Sequence, residues 1–155
     1  MAKEIERKFR VASDLWRAAC DGGRKFRQGY VLAMDDRSVR VRIVDGGAAQ
    51  LTVKIGKYGL VREEFEYDLP VADAEEMLST AIGIVIEKTR YRIAFGDHVW
   101  EVDVYEGALE GLTVAEVELR SEADRPERPA WLGAELTGDR RYSNQTLALH
   151  GLPPD

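Results

Sequence analysis

The stretch Glu4-Ile5-Glu6-Arg7-Lys8-Phe9-Arg10-Val11 alternates in character almost residue by residue. In a β-strand, residues i, i+2 and i+4 share a face. Glu4, Glu6, Lys8 and Arg10 therefore share one side, with Ile5, Phe9 and Val11 opposite. The same division recurs down the chain. Arg40 and Arg42 oppose Val39, Val41 and Ile43, and Thr52 and Lys54 oppose Leu51, Val53 and Ile55. Arg62, Glu64 and Glu66 oppose Val61, Phe65 and Tyr67, while Lys88, Arg90 and Arg92 oppose Tyr91 and Ile93. Glu101 and Asp103 then oppose Trp100, Val102 and Val104, and Glu116 and Glu118 oppose Ala115, Val117 and Leu119.

Turn chemistry separates these segments. Asp45-Gly46-Gly47, Gly56 to Gly59, Gly96-Asp97 and Gly107 to Gly111 lie between short β-prone runs, as hairpins require. The runs are Ile5–Val11, Gln28–Leu32, Ser38–Val44, Gln50–Ile55, Val61–Leu69, Ile84–Ala94, Val99–Tyr105 and Thr113–Leu119, and tight turns make them mostly antiparallel. Helices are predicted from Ser13 through Cys20, from Asp73 through Ile82, and from Arg141 to His150, the last ended by Gly151 and Pro153. Pro126 and Pro129 make the stretch before it irregular. No repeat or linker divides the chain, so residues 1–155 read as one domain.

A single polar/apolar strand is ordinarily half buried with its charges in water. An open sandwich would present such a face. It would show scattered Lys and Glu among Ser, Thr and Gln. Here the signs segregate by strand, except on the first and the fifth. An eight-stranded closed antiparallel β-barrel accounts for this, because its interior just accommodates side chains or one small ligand. A dry, unpaired bore of charges would be costly, but water and opposite charges across the bore relieve that cost. The fold class expected is mainly β within α+β, with helices packed outside.

Composition narrows the function. The chain has 155 residues, 45% hydrophobic and 32% charged, with a net charge of −6. No apolar run approaches a membrane span, and the N-terminus lacks the apolar core of a signal peptide. The acidic balance argues against general nucleic-acid binding. Cys20 has no partner for a disulfide, which suits a cytoplasmic location. His98 and His150 are too few for an ordinary zinc site, and neither accompanies a marked nucleophilic serine. His98 reads as a surface histidine at a turn, Trp16, Trp100 and Trp131 as packing residues, and Cys20 as inert.

The bore face has a chemistry of its own. Glu pairs at i, i+2 set two hard oxygen donors side by side, and Mg²⁺ typically takes one or two carboxylates and completes its shell with water and phosphate oxygens. Lys8, Arg40, Arg42, Lys54, Arg62, Lys88 and Arg90 would converge from several strands and call for a polyanion. One ligand class satisfies both signs: a polyphosphate bound as its metal complex. Tyr30 shares the bore parity with Gln28 and suits either phosphate contact or packing.

These residues resemble the signature of the CYTH family, the triphosphate tunnel metalloenzymes. Glu4-Ile5-Glu6-Arg7-Lys8 is similar to its opening ExExK motif. Gln28-Gly29-Tyr30, Arg40-Val41-Arg42, Thr52-Val53-Lys54, Arg62-Glu63-Glu64-Phe65-Glu66, Glu87-Lys88-Thr89-Arg90-Tyr91, Glu101-Val102-Asp103 and Glu116-Val117-Glu118 follow in family order. The ending Thr137-Gly138-Asp139-Arg140-Arg141-Tyr142-Ser143-Asn144 is similar to that of the small bacterial members. The resemblance implies an eight-stranded tunnel with a C-terminal helix plugging one mouth. It implies Mg²⁺ or Mn²⁺ held by Glu4, Glu6, Glu116 and Glu118, and a triphosphate bound by the basic set with Tyr30 nearby. Lys88 and Arg90 would stabilise developing charge, and Glu64, Glu66 or Asp103 would orient the attacking water. The activity implied is hydrolysis of inorganic triphosphate to pyrophosphate and phosphate. Alternatives are a nucleoside triphosphatase, a thiamine triphosphatase, a class IV-type adenylyl cyclase and, from another class, a non-catalytic polyphosphate-binding module. Homodimerisation through the apolar outer face stays open.

Overall fold

The computed structural model describes residues 3–57 and 61–154. Its strands are β1 (Lys3–Val11), β2 (Arg24–Ala33), β3 (Arg37–Val44), β4 (Ala48–Ile55), β5 (Val61–Leu69), β6 (Ile82–Phe95), β7 (His98–Glu106), β8 (Thr113–Glu118) and β9 (Leu132–Glu135). Helix α1 is Val71–Ser79 and α2 is Asn144–His150. The sheet runs β5-β4-β3-β2-β6-β7-β8-β1-β9, and a further β5–β1 pairing closes the first eight strands into an antiparallel barrel. Closure is narrow: Lys3, Glu4 and Ile5 face Glu63, Arg62 and Val61. Farther along the same edge β1 takes β9 instead, with Phe9 opposite Glu135 and Val11 opposite Leu132. Beyond the seam β5 leaves β1, and its Glu66, Tyr67 and Asp68 are exposed.

The alternation places the apolar residues outside, and the covering elements follow from that. Phe9, Trp100, Val102, Ala115 and Val117 form a core under Trp16 and Trp131. Trp16 comes from a 3-10 turn at Leu15–Ala18, shorter than the helix expected through Cys20. All three tryptophans pack as the sequence suggests. On the other side Val41, Ile43 and Ala49 are covered by Ala74 and Leu78 of α1. This helix starts ahead of the expected Asp73, because Pro70 sits at its N-cap in an extended conformation that suits the residue before a first helical turn. The turn at Asp45-Gly46 has positive φ at both residues, the mirror-image hairpin geometry. The turn expected at Gly56 to Gly59 runs into residues 58–60, outside those described.

One end of the barrel interior is apolar. Tyr30, Ile86, Tyr105, Leu109 and Val114 meet Leu147 and Ala148 of α2 there. The helix begins later than expected, since residues Arg140–Tyr142 form a separate 3-10 turn and the Ser143 hydroxyl caps α2 by accepting from the Thr146 amide. Gly83 makes this plug fit. Its φ is +70°, and a Cβ there would lie 2.1 Å from the Ala148 carbonyl oxygen. Gly83→Ala is expected to cost about 2 kcal/mol in urea denaturation, through both backbone strain and displacement of α2. Unchanged stability would mean that the helix is not docked against this glycine.

Candidate active site

The bore holds a cavity of about 250 Å³ lined by Glu4, Glu6, Lys8, Tyr30, Arg40, Arg42, Lys54, Arg62, Glu64, Glu66, Arg90, Glu101, Glu116 and Glu118, among others. Strand pairing explains the convergence. Glu6 faces Glu118 and Lys8 faces Glu116 across β1 and β8. Glu4 faces Arg62 at the closing seam. Lys54 faces Glu64, and Thr52 faces Glu66, across β4 and β5.

Opposite charges interleave through this space. Lys54 Nζ lies 3.1 Å from Glu4 Oε1 and 3.6 Å from Glu64 Oε2. Arg62 Nη2 donates to Glu4 Oε1 at 3.2 Å and stands 3.9 Å from Glu6. Lys8 donates to the Tyr142 carbonyl at 3.1 Å and lies 3.7 Å from Glu116. Arg40 donates to the Thr52 hydroxyl at 3.0 Å, and Arg42 to the Gln28 side-chain oxygen at 2.7 Å.

Lys88 and Asp103 stand behind this lining rather than in it. Their side chains are 0% and 1% exposed, and Lys88 Nζ lies 2.6 Å from Asp103 Oδ2. Asp103 also accepts from Arg90, Nε at 2.7 Å and Nη2 at 2.8 Å. Both carboxylate oxygens bond cations, and the side chain is buried outside the cavity lining. Arg90 alone of the three reaches the cavity, where Glu101 lies 3.4 Å from its Nη1.

The outermost charges depart from the bore. Arg92 is exposed, and Arg10 donates to the Tyr142 hydroxyl with its guanidinium over that ring. Arg7, on the outer face, bonds Glu135 at 2.9 Å and so ties β1 to β9. His98 lies beside the β6–β7 turn as expected, but its side chain is only 9% exposed and its Nε2 meets Asp124 Oδ2 at 2.8 Å. Several lining residues are not among the expected site residues, although Arg140 and Asn144 belong to the ending that resembles the small bacterial members. Met34, Asp35 and Arg37 of the β2–β3 hairpin, and Arg140, Asn144 and Gln145 of the C-terminal segment, reach the cavity. Gln145 also donates to the Met34 carbonyl at 3.1 Å, joining the two segments. Only the chain path brings them to one mouth, so alternation along a strand could not find them.

Crowding perturbs the acids in opposite directions. Burial, then the charges of Glu116 and Glu4, push Glu6 up to about 8. Burial and a hydrogen bond shared with Glu4 push Glu64 up to about 8. Burial opposes ionisation of Glu4 too, but the Glu64 bond and the charges of Lys54 and Arg62 outweigh it and lower Glu4 to about 2. Glu116 is likewise lowered to about 2, burial being outweighed chiefly by Lys8 and Arg90. Burial lowers Lys88 to about 7 against the attraction of Asp103. Among the described residues no three Asp, Glu, His or Cys side chains form a ready-made metal cage. The donor chemistry nonetheless fits a hard cation completed by phosphate oxygens, and the raised Glu6 marks negative charge that such a cation would relieve.

These shifts set a pH dependence for the metal-free protein. Above the ordinary carboxylate value of 4.5, Glu6 and Glu64 keep protons in the folded state that the unfolded chain has released. Their contribution to stability therefore declines as pH rises toward about 8. Lys88, lowered to about 7, acts in the opposite sense only above that pH. Melting temperature measured in EDTA should fall from about pH 5 to about pH 7, and fall less in Glu64→Gln. A rise over that interval would contradict the crowded-carboxylate account.

Comparison with known proteins agrees with this geometry. The CYTH domain model matches residues 2–149. The inorganic triphosphatase of Acetivibrio thermocellus is 44% identical over 148 residues, covering 95% of this chain and 94% of that protein. The inorganic triphosphatase of Nitrosomonas europaea is 37% identical over 152 residues, covering 94% and 97%. A crystal structure of an inorganic triphosphatase superposes with a TM-score of 0.67 at 34% identity, over 97% of this chain and 100% of that one. With a closed barrel, a charged bore and a family match over almost its whole length, the chain belongs to the CYTH family.

Proposed function

We propose that this protein is a metal-dependent hydrolase of inorganic triphosphate. The observation that carries the reading is the bore itself: Lys8, Arg40, Arg42, Lys54, Arg62 and Arg90 share one cavity with Glu4, Glu6, Glu116 and Glu118. Six cations exceed what a single phosphate needs, and the acids would repel a bare polyanion. A triphosphate carrying divalent metal satisfies both sets. The names of the two bacterial relatives point the same way.

Family membership implies a divalent cation, and Mg²⁺ or Mn²⁺ suits these oxygen donors. Glu6, Glu116 and Glu118, with Glu4, would hold it, and when bound it would withdraw charge from the phosphoryl oxygens. The protein's own contribution is positioning and electrostatic stabilisation, which phosphoryl transfer chiefly demands. Arg40, Arg42 and Arg90 grip the phosphate oxygens and favour the charge that develops on them. Asp103 and Lys88 hold Arg90 in place from behind. Lys54 and Arg62, each paired with Glu4, would exchange that partner for phosphate. Glu64 and Glu66 flank the cavity and are the favoured candidates to orient the attacking water, since Asp103 bonds Lys88 and Arg90 behind the lining.

The lining also favours an inorganic substrate over a nucleotide. Among the described residues Tyr30 is its one aromatic member, and Met34 its one large apolar member. A base pocket is ordinarily built from several such side chains.

The deciding assay is phosphate release from tripolyphosphate, ATP, thiamine triphosphate and pyrophosphate, each with Mg²⁺, Mn²⁺ or EDTA. Strong EDTA-sensitive turnover of tripolyphosphate is expected, with little on the others. Preference for ATP would overturn the substrate, and tight tripolyphosphate binding without turnover would make the chain a binding module. In the same assay Arg42→Ala should lower kcat by about 10²–10³-fold. Glu6→Gln should raise the Mg²⁺ concentration for half-activity by on the order of tenfold or more. Wild-type metal dependence in Glu6→Gln would remove that residue from the metal site.

A further inference from the structure

Two buried side chains on β2 lie behind the cavity and do not line it. Phe26 and Gln28 occupy the bore-facing parity of the strand, and they are 7% and 0% exposed. Both touch Arg42, which does line the cavity. The Arg42 Nε–H donates to Gln28 Oε1 at 2.7 Å. The guanidinium carbon of the same residue stands 4.3 Å from the Phe26 ring centroid.

We infer that Phe26 and Gln28 are positioning residues for the proposed triphosphatase reaction, acting through Arg42 by fixing the plane and the edge of its guanidinium. A guanidinium is a flat fork with five donors, and it binds phosphate well only when the two terminal nitrogens point at the oxygens. One bond at Nε fixes rotation within the plane. An aromatic face fixes the plane itself and is attracted to the cation. Together they leave Nη1 and Nη2 for the cavity.

The Gln28 amide is specific for this task. Its Nε2 is buried with no protein partner among the described residues. Turning the amide over would set that NH₂ against the Arg42 Nε–H, donor to donor. A side chain kept only to fill space would be apolar here, because a buried amide with an idle donor is costly. The ring serves a second cation as well: the Arg90 guanidinium carbon lies 5.1 Å from its centroid. Phe26 thus stands between two like charges that must both face the substrate, at a place where open space would let them splay.

The inference rests on the reading of the bore as a triphosphate site, and the test separates the two. Gln28→Met keeps the volume and removes the acceptor, and Phe26→Leu keeps an apolar filler and removes the ring. Each is compared with wild type for kcat and KM on tripolyphosphate and, by calorimetry with Mg²⁺, for binding of a non-hydrolysable triphosphate analogue. Each is also combined with Arg42→Lys, which has neither the Nε–H nor the planar face. Loss of about tenfold in kcat/KM and a parallel loss of binding are expected in each single variant. In the Arg42→Lys background either change should add less than about twofold, and Phe26→Tyr with Arg42 intact should keep near wild-type values. Additive losses in the double variants would make both residues merely structural and overturn the inference, as would wild-type kinetics in Gln28→Met. If wild type binds tripolyphosphate without hydrolysing it, the functional reading fails, but the binding cycle with Arg42→Lys still decides the inference.

Discussion

Crowding of charge inside a closed sheet is the constraint on which the rest of this structure depends. A barrel has one interior, so side chains that alternate inward on eight strands meet whether or not their signs agree. Here Glu6 and Glu118 face each other directly across β1 and β8, with Glu116 in the next inward-facing pair. Arg42 and Arg90 flank one phenyl ring. The protein's own ion pairs relieve part of this crowding. Lys54 and Arg62 neutralise Glu4, Lys8 approaches Glu116, and Glu4 and Glu64 share a hydrogen bond. Charges confined in a bore interact more strongly than charges spread over an open surface, so the remaining imbalance is what a metal–triphosphate complex would remove. Stability and ligand affinity are then two aspects of one electrostatic problem.

That view also orders the cations by depth. Lys88 is fully buried against Asp103 and cannot reach the cavity without breaking a buried pair. Breaking such a pair typically costs about 3–5 kcal/mol. Asp103 therefore works as an anchor that fixes Arg90, just as Gln28 and Phe26 fix Arg42. The cavity lining is one layer, and a second layer of paired or stacked groups decides where its forks point.

Much of this was legible in the sequence, for a definite reason. Alternation along a strand is a local property, so the inward set from Glu4 to Glu118 could be read without distances. The apolar outer face followed from the same rule. What failed was non-local or marginal. β9 is four residues, Leu-Gly-Ala-Glu, shortly after Pro126 and Pro129, and it exists because β1 offers an edge where β5 departs. The helix expected from Ser13 shrank to a 3-10 turn carrying Trp16 into its core. Arg10 and Arg92 obey the parity but lie past the cavity, which alternation cannot bound. The split between Asp103 as anchor and Glu64 or Glu66 as cavity acids required hydrogen-bond geometry.

The central claim is that the two signs in the bore are complementary to one metal–triphosphate complex. A crystal structure with a non-hydrolysable triphosphate analogue and Mn²⁺, read by anomalous scattering, tests it most directly. The account predicts phosphate density between Arg40, Arg42 and Arg90, with anomalous signal against Glu6, Glu116 or Glu118. An analogue bound outside the barrel, or a metal held away from those carboxylates, would contradict it.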